Sequence, residues 1–355
     1  MADVTQQIRY TIAAILIVLT TACGPGGNQT PAQQEGQDIR INGAGATFPY
    51  PIYSKWFAEY NKRRPNVQIN YQSIGSGGGI RQLTNQTVFF GATDGPMTDE
   101  QQKTAPGSIL HFPTVLGAVV PTYNLPGVEG ELKLTGPVLA DIFLGKIKKW
   151  NDPSIARLNA GMRLPATDIV VAHRSDGSGT TYIWVDFLSK VSPEFKKTVG
   201  VNTSVNWPTG VGGKGNEGVA GIVSQTPGSI GYVELIYALQ NKISYASVQN
   251  AAGEFVKAST QAVTAAAAAS AAQIPTDFRV SITNAGGPGA YPIASYTWLL
   301  LYERPSDKAR SAVMVNFLKW ALTDGQTFAT ELGYAPLPAD VVKLEMAALS
   351  RIQTS

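Results

Sequence analysis

IRINGAGATFPYPIYSKWFAEYNKRRPNVQINYQSIGSGGG, residues 39–79, decides the fold. Ile39 and Ile41 alternate with polar neighbours, as a half-buried strand requires, and lead into the GAGATFP loop at 43–49. Beyond it Ile52, Tyr53, Trp56, Phe57 and Tyr60 recur at helical spacing until the break at Pro65. Val67, Ile69 and Tyr71 then alternate again up to the IGSGGG turn at 74–79, after which Ile80, Leu83 and Thr87 begin a second helical face. Strand and helix taking turns in this way predict an α/β protein.

The alternation continues. Val88 to Ala92 reads as a third strand that ends at Asp94 in GATDGP, 91–96, and Thr98 with Gln101 has the form of a capping box for the next helix. Later, Ile169 to Ala172 runs into RSDGSGT, 174–180, before Tyr182, Ile183, Phe187 and Leu188 mark a helical face. Four small-residue patches thus stand at four strand ends, where open α/β sheets bind ligands. The patches at 43, 74 and 174 are rich in backbone N–H groups and small hydroxyls, with Arg174, Asp94 and Asp176 set among them. Exposed amides at helix starts carry partial positive charge and glycine permits close approach, so this inventory describes a socket for a small oxyanion.

The long apolar segment Ile109 to Leu125, interrupted by prolines, reads as a strand passing between two domains, the number that 355 residues favour. GVGGKGNEG at 210–218 and PGSIGY at 227–232 mark turns of a second α/β body. QAVTAAAAASAA at 261–272 reads as a surface helix or a flexible insertion. Tyr291 to Ile293 leads into a buried strand at Tyr296 to Tyr302, and Ala312 to Leu322 forms an amphipathic helix.

Composition excludes several classes. A net charge of +3, with no basic block beyond KIKKW at 146–150, gives nucleic-acid binding no support. One cysteine and two histidines, His111 and His173, build neither a disulfide framework nor a Cys/His metal site, and no cofactor motif is present. The cysteine, Cys23, follows Arg9, an apolar run from Ile12 to Leu19, and Thr20-Thr21-Ala22. That order reads as a secretory signal (1–23) ending in a lipoprotein processing site, or as a plain signal with an incidental cysteine; the run is too short for a spanning helix. Residues 24–37, rich in Gly, Pro and Gln, suit a flexible tether.

Taken together, GAGATFP, IGSGGG, GATDGP, LGKIKKWNDP (144–153), RSDGSGT, GGKGNEGVAG (212–221) and PGSIGYVE (227–234) resemble the phosphate-binding protein of the bacterial high-affinity phosphate ABC transporter, the PstS family. The resemblance runs in order from about Ile41 to Leu337. It implies a type II periplasmic-binding-protein fold, with lobe I at 38–113 and 291–355, lobe II at 114–290, and one inorganic phosphate in the cleft. It also implies a receptor outside the cytoplasm that serves membrane-embedded permease subunits and a cytoplasmic ATPase, without catalysis; with the lipoprotein reading of Cys23, a monomer in the periplasm or at the cell surface, anchored to the membrane, is expected. By the same resemblance Thr47 and Phe48 offer backbone amides, Thr47 and Ser76 hydroxyls, and Arg174 a guanidinium braced by Asp176. Ser178, Gly179 and Thr180 supply amides and hydroxyls at a helix start. Asp94 is the discriminating residue, because an ionised carboxylate only accepts hydrogen bonds and faces an oxyanion only where that oxyanion carries a proton. Gly77 stands where the family often has a second serine.

Competing readings are blander. Each glycine patch alone is a turn, Arg174 with Asp176 is a surface ion pair, and the two histidines carry no chemistry. An enzyme finds little support: Phe48 replaces the third glycine of a dinucleotide fingerprint, Gly215 follows Lys214 where a P-loop needs Ser or Thr, and no G-x-S-x-G elbow occurs. A phosphatase built on Ser178 or Asp94, or a receptor for another tetrahedral oxyanion, stays open on the residues alone.

Overall fold

The structure is a computed structural model and describes residues 38–354. The signal, Cys23 and the tether at 24–37 lie outside the described residues.

Among the described residues the strands are β1 (Ile39–Gly45), β2 (Val67–Ser73), β3 (Phe90–Thr93), β4 (Ile109–Tyr123), β5 (Lys133–Leu134), β6 (Val170–Arg174), β7 (Val211–Gly213), β8 (Ser229–Glu234), β9 (Ser244–Tyr245), β10 (Ser247–Gln249), β11 (Phe255–Val256) and β12 (Ala294–Tyr302). The large sheet runs β2-β1-β3-β12-β4-β8-β6-β7, with β9 also on β4, and a small sheet runs β11-β10-β5. At both ends of the large sheet the pairs are parallel, β1 with β2 and β3, β6 with β7 and β8. Parallel pairs need crossover helices, and the helical periodicity between these strands provides them.

β4 joins the two ends. Ile109 to Ala118 pair antiparallel with β12, and Val119 to Tyr123 pair with β8, so one strand changes partner part-way along its length. All of its residues are buried, which explains why it reads as apolar throughout and not as alternating.

The first helix, Tyr50–Arg63, buries the five residues that its spacing predicted, Ile52, Tyr53, Trp56, Phe57 and Tyr60. Its aromatic face meets Phe317 of the helix Lys308–Ala321 and Phe90 of β3. The capping box at Thr98 and Gln101 is present. Of the two alternatives for the alanine-rich run the helix holds: Thr260–Ser270 buries Ala262, Val263, Ala266 and Ala267 against β4 and β12, where methyl side chains let it lie close to the sheet. One expectation needs correction. PGSIGY is a turn only at its start, since β8 runs through Ser229 to Tyr232.

Candidate functional site

Four of the strand ends converge. β1 ends at the loop carrying Thr47 and Phe48, β2 leads to the helix Ser76–Thr84, β3 ends beside Asp94, and β6 ends at Arg174 before the helix Gly179–Val191. Thr47, Phe48, Ser76, Asp94, Arg174, Ser178 and Thr180 are all buried.

Direct hydrogen bonds link these residues across the sheet. Ser76 Oγ accepts from the backbone nitrogens of Gly179 at 3.0 Å and Asp94 at 3.2 Å. Gly179 has to be glycine here, because a Cβ would lie 2.5 Å from Ser76 Oγ and 2.6 Å from the Asp94 nitrogen. Gly75, at φ +88°, takes a left-handed conformation in which a Cβ would stand 2.3 Å from Asp176 Oδ2. Gly77 donates its amide to the Gly177 carbonyl at 2.9 Å, and their Cα atoms are close enough that a side chain at Gly77 would crowd Gly177.

Arg174 is only 4% exposed, so the surface ion-pair reading does not hold. Its Nε and Nη2 donate to the two oxygens of Asp176 at 2.7 and 2.5 Å, and Nη1 lies 3.4 Å from Thr180 Oγ1. Burial works to raise the Asp176 pKa, but the bonds and charge of Arg174, with the Gly215 amide at 3.0 Å, outweigh it and hold the carboxyl below its usual range. The guanidinium is thereby held rigidly and part of its charge is balanced.

Asp94 is 1% exposed. Its Oδ1 accepts from Thr297 Oγ1 at 2.8 Å and its Oδ2 lies 3.4 Å from Ser76 Oγ. Burial pushes its pKa up to about 7 against the opposing influence of Thr297, Arg174 and Ser76. A second carboxyl, Glu234, is fully buried; burial raises it well above the carboxylate range, although Oε2 accepts from the Ile236 amide at 2.9 Å.

The site is dominated by donors. Among the described residues the amides of Thr47, Phe48, Ser76 and Thr180 have no protein acceptor, whereas those of Ser178 and Gly179 are taken by the Thr203 carbonyl and Ser76 Oγ. The expectation that Ser178 and Gly179 offer their amides is therefore corrected. The Ser178 hydroxyl oxygen caps the helix by accepting from Thr181 N at 3.0 Å, which leaves its proton and one lone pair to the site. Beside this polar centre a cleft of about 590 Å³ opens, lined by Gly77, Arg81, Asp176, Gly177 and Asn202.

Apart from Asp176, sequence reasoning missed the supporting residues. Asn216, fully buried, contacts Thr47 and Thr180; Tyr237 donates to the Thr47 carbonyl and Tyr334 to the Phe48 carbonyl, both at 2.6 Å. Thr297 had a visible signal as a threonine set between two aromatic residues, Tyr296 and Trp298, in the buried strand β12. Neither histidine joins the network: His111 accepts from the Met97 amide and His173 stacks on Trp207. Among the described residues no helix is long and apolar enough to cross a membrane.

A profile of the PBP superfamily domain matches residues 28–325. A phosphate-binding protein PstS from Xylella fastidiosa (strain 9a5c) is 50% identical over 327 residues, 91% of this chain and 89% of that protein. The chain belongs to the PstS family. A PstS from Methanocaldococcus jannaschii, 39% identical, spans 99% of this chain and 97% of its own length. Among solved structures, the periplasmic phosphate-binding protein PfluDING bound with phosphate superposes with a TM-score of 0.70 at 22% identity, over 87% of this chain and 93% of that one. A putative phosphate ABC transporter substrate-binding protein with bound phosphate, from Clostridium perfringens, gives 0.62 at 16%, over 84% and 100%. These likenesses show the periplasmic-binding-protein fold that the resemblance implied, within the α/β class that the alternating pattern predicted.

Proposed function

We propose that this chain captures inorganic phosphate outside the cytoplasm and delivers it to an ABC permease. The observation that carries the reading is the contrast inside one buried centre: unpaired amides, hydroxyls and Arg174, all donors, against Asp94 as the acceptor. Such a centre suits a small oxyanion with one proton. We assign direct contacts to Thr47, Phe48, Ser76, Asp94, Arg174, Ser178 and Thr180, with Asp176 as the brace and Gly179, its amide held by Ser76 Oγ, as the tie between the two arms. The ligand groups divide into two lobes joined by β4, which pairs with β12 on one side and β8 on the other, and closure on phosphate is the signal that a permease reads. Membrane-embedded permease subunits and a cytoplasmic ATPase complete the transporter, with the chain itself a monomer tethered through Cys23. Turnover is not part of this reading: Ser76 and Ser178 engage backbone amides and lack a neighbouring imidazole base.

Titration of phosphate-stripped protein with phosphate and with sulfate tests it, alongside a chromogenic phosphate monoester. Stoichiometric phosphate binding without ester turnover is expected; equal affinity for sulfate at neutral pH, or turnover, overturns it. Cys23→Ala should release the protein from the membrane fraction, and unchanged fractionation would remove the anchor.

A further inference from the structure

Asn216 is the second residue of the helix Gly215–Gln225 and makes four hydrogen bonds. Its Oδ1 accepts from the backbone N–H of Glu234 at 2.9 Å. A peptide N–H can only donate, so the oxygen end of the amide is fixed on that side, and Nδ2 must face the other way. There it donates to Thr47 Oγ1 at 2.7 Å and Thr180 Oγ1 at 3.2 Å. Each hydroxyl also receives a second donor: the backbone nitrogen of Asn216 lies 3.3 Å from Thr47 Oγ1, and Arg174 Nη1 lies 3.4 Å from Thr180 Oγ1.

A hydroxyl has two lone pairs and one proton. With both lone pairs engaged, each threonine retains only its proton to offer. We propose that Asn216 is a positioning residue that fixes the polarity of the pocket, so that Thr47 and Thr180 can donate to a bound oxyanion but cannot accept from it. The proposal rests on the phosphate reading above and sharpens it. The acceptors left to the ligand are then Asp94 and one lone pair of Ser178, whose oxygen accepts only from Thr181 N. A phosphate proton directed at Thr47 or Thr180 meets only donors, and an unanswered buried donor is costly, so these two positions favour the dianion over the doubly protonated monoanion.

The titratable and charged groups facing this chain of bonds are Arg174 and Asp176 from β6 and its loop, Asp94 just after β3, Glu234 from β8, Glu217 from the helix of Asn216 itself and Tyr237 from the helix Leu235–Gln240. Of those with a shifted pKa, Asp176 is lowered while Glu234 and Tyr237 are raised, both chiefly by burial; Asp94, at about 7, is the one that titrates near neutrality. Asp94 is common to wild type and variants, so differences between their pH profiles isolate Asn216.

The test is calorimetric titration with inorganic phosphate from mildly acidic to mildly alkaline pH. Wild type should bind more tightly as pH rises. In Asn216→Ala the threonine lone pairs are freed and can accept the second proton. The ratio of alkaline to acid affinity should then fall by about tenfold or more, on the scale of one buried hydrogen bond. Adding Thr47→Val and Thr180→Val removes the freed acceptors and should restore the wild-type slope at lower affinity. Asn216→Leu, uncharged and close in volume, replaces the alanine variant where that one fails to fold. A slope change that persists in the valine background does not run through the threonine hydroxyls and overturns the proposal, as do profiles parallel to wild type. Absence of phosphate binding by wild type would instead sink the phosphate reading, so the two failures are distinguishable.

Discussion

Ser76 Oγ lies 3.0 Å from the backbone nitrogen of Gly179, a residue 103 positions further along the chain. One hydroxyl therefore ties the helix that follows β2 to the helix that follows β6, on opposite arms of the large sheet. The hydrogen of Gly179 permits this approach, and the Gly77 to Gly177 bond reinforces it.

Gly179→Ala should consequently hinder closure. The added methyl would lie 2.5 Å from Ser76 Oγ and against Asp94, and overpacking of this kind costs about 1–3 kcal/mol, roughly 5- to 150-fold in affinity. Phosphate affinity should fall within that range while the unliganded protein keeps its melting temperature, since an open form relieves the clash. Small-angle scattering should show compaction on phosphate for wild type and less for the variant. Identical compaction and affinity in both would place the site elsewhere.

Arg174→Ala removes a charged donor from the centre, and phosphate binding should weaken by at least about 1.5–3 kcal/mol. It also leaves Asp176 largely buried without its partner, so melting temperature should drop too. Asp176→Asn added to Arg174→Ala should recover much of the stability and none of the affinity. Recovery of both would mean that Arg174 acts through the fold alone.

The fold was legible because its signals are local. Apolar alternation at Ile39 and Ile41, helical spacing from Ile52 to Tyr60, and small residues after β1, β2, β3 and β6 each follow from nearest-neighbour geometry. The residues that tune the pocket were not, because their role depends on contacts between distant segments. Asn216 reaches Thr47 over 169 positions and Thr297 reaches Asp94 over 203. Nothing in the spacing of GGKGNEG says that an asparagine there orients two hydroxyls. The alanine-rich run left two alternatives open for a related reason: its burial depends on the sheet it covers, not on its own weak amphipathicity.

Asp94 sets a pH dependence of stability with a definite sign. Its folded pKa of about 7 exceeds the usual 3.8, so between those values the folded state holds a proton that the unfolded chain has released. Stability of the unliganded protein is therefore lost as pH rises through this window, by an amount on the order of 4 kcal/mol for a fully buried group. Glu234 and Glu345 act in the same direction, whereas buried His111, lowered to about 3, acts in the opposite one. The wild-type curve alone is thus a sum. Asp94→Asn isolates the carboxyl: measured by urea unfolding, the variant's advantage should grow from about pH 4 to about pH 7 and then level off. A constant difference across that range would show that Asp94 does not titrate there.

The same carboxyl predicts how sulfate discrimination varies with pH. Ionised Asp94 can only accept, and sulfate near neutrality has no proton to give, so the pair repels. Protonated Asp94 donates, and sulfate then meets a pocket composed of donors. Sulfate binding should follow the protonated fraction, weakening about tenfold for each pH unit above the Asp94 pKa of about 7 and levelling off below it. Asp94→Asn, whose amide donates at every pH, should bind sulfate with an affinity that does not change across the range. Competition titrations against a fixed phosphate concentration cannot separate the two anions' responses, so each is titrated alone. A wild-type sulfate profile that is flat through neutrality would show that discrimination does not run through the protonation of Asp94.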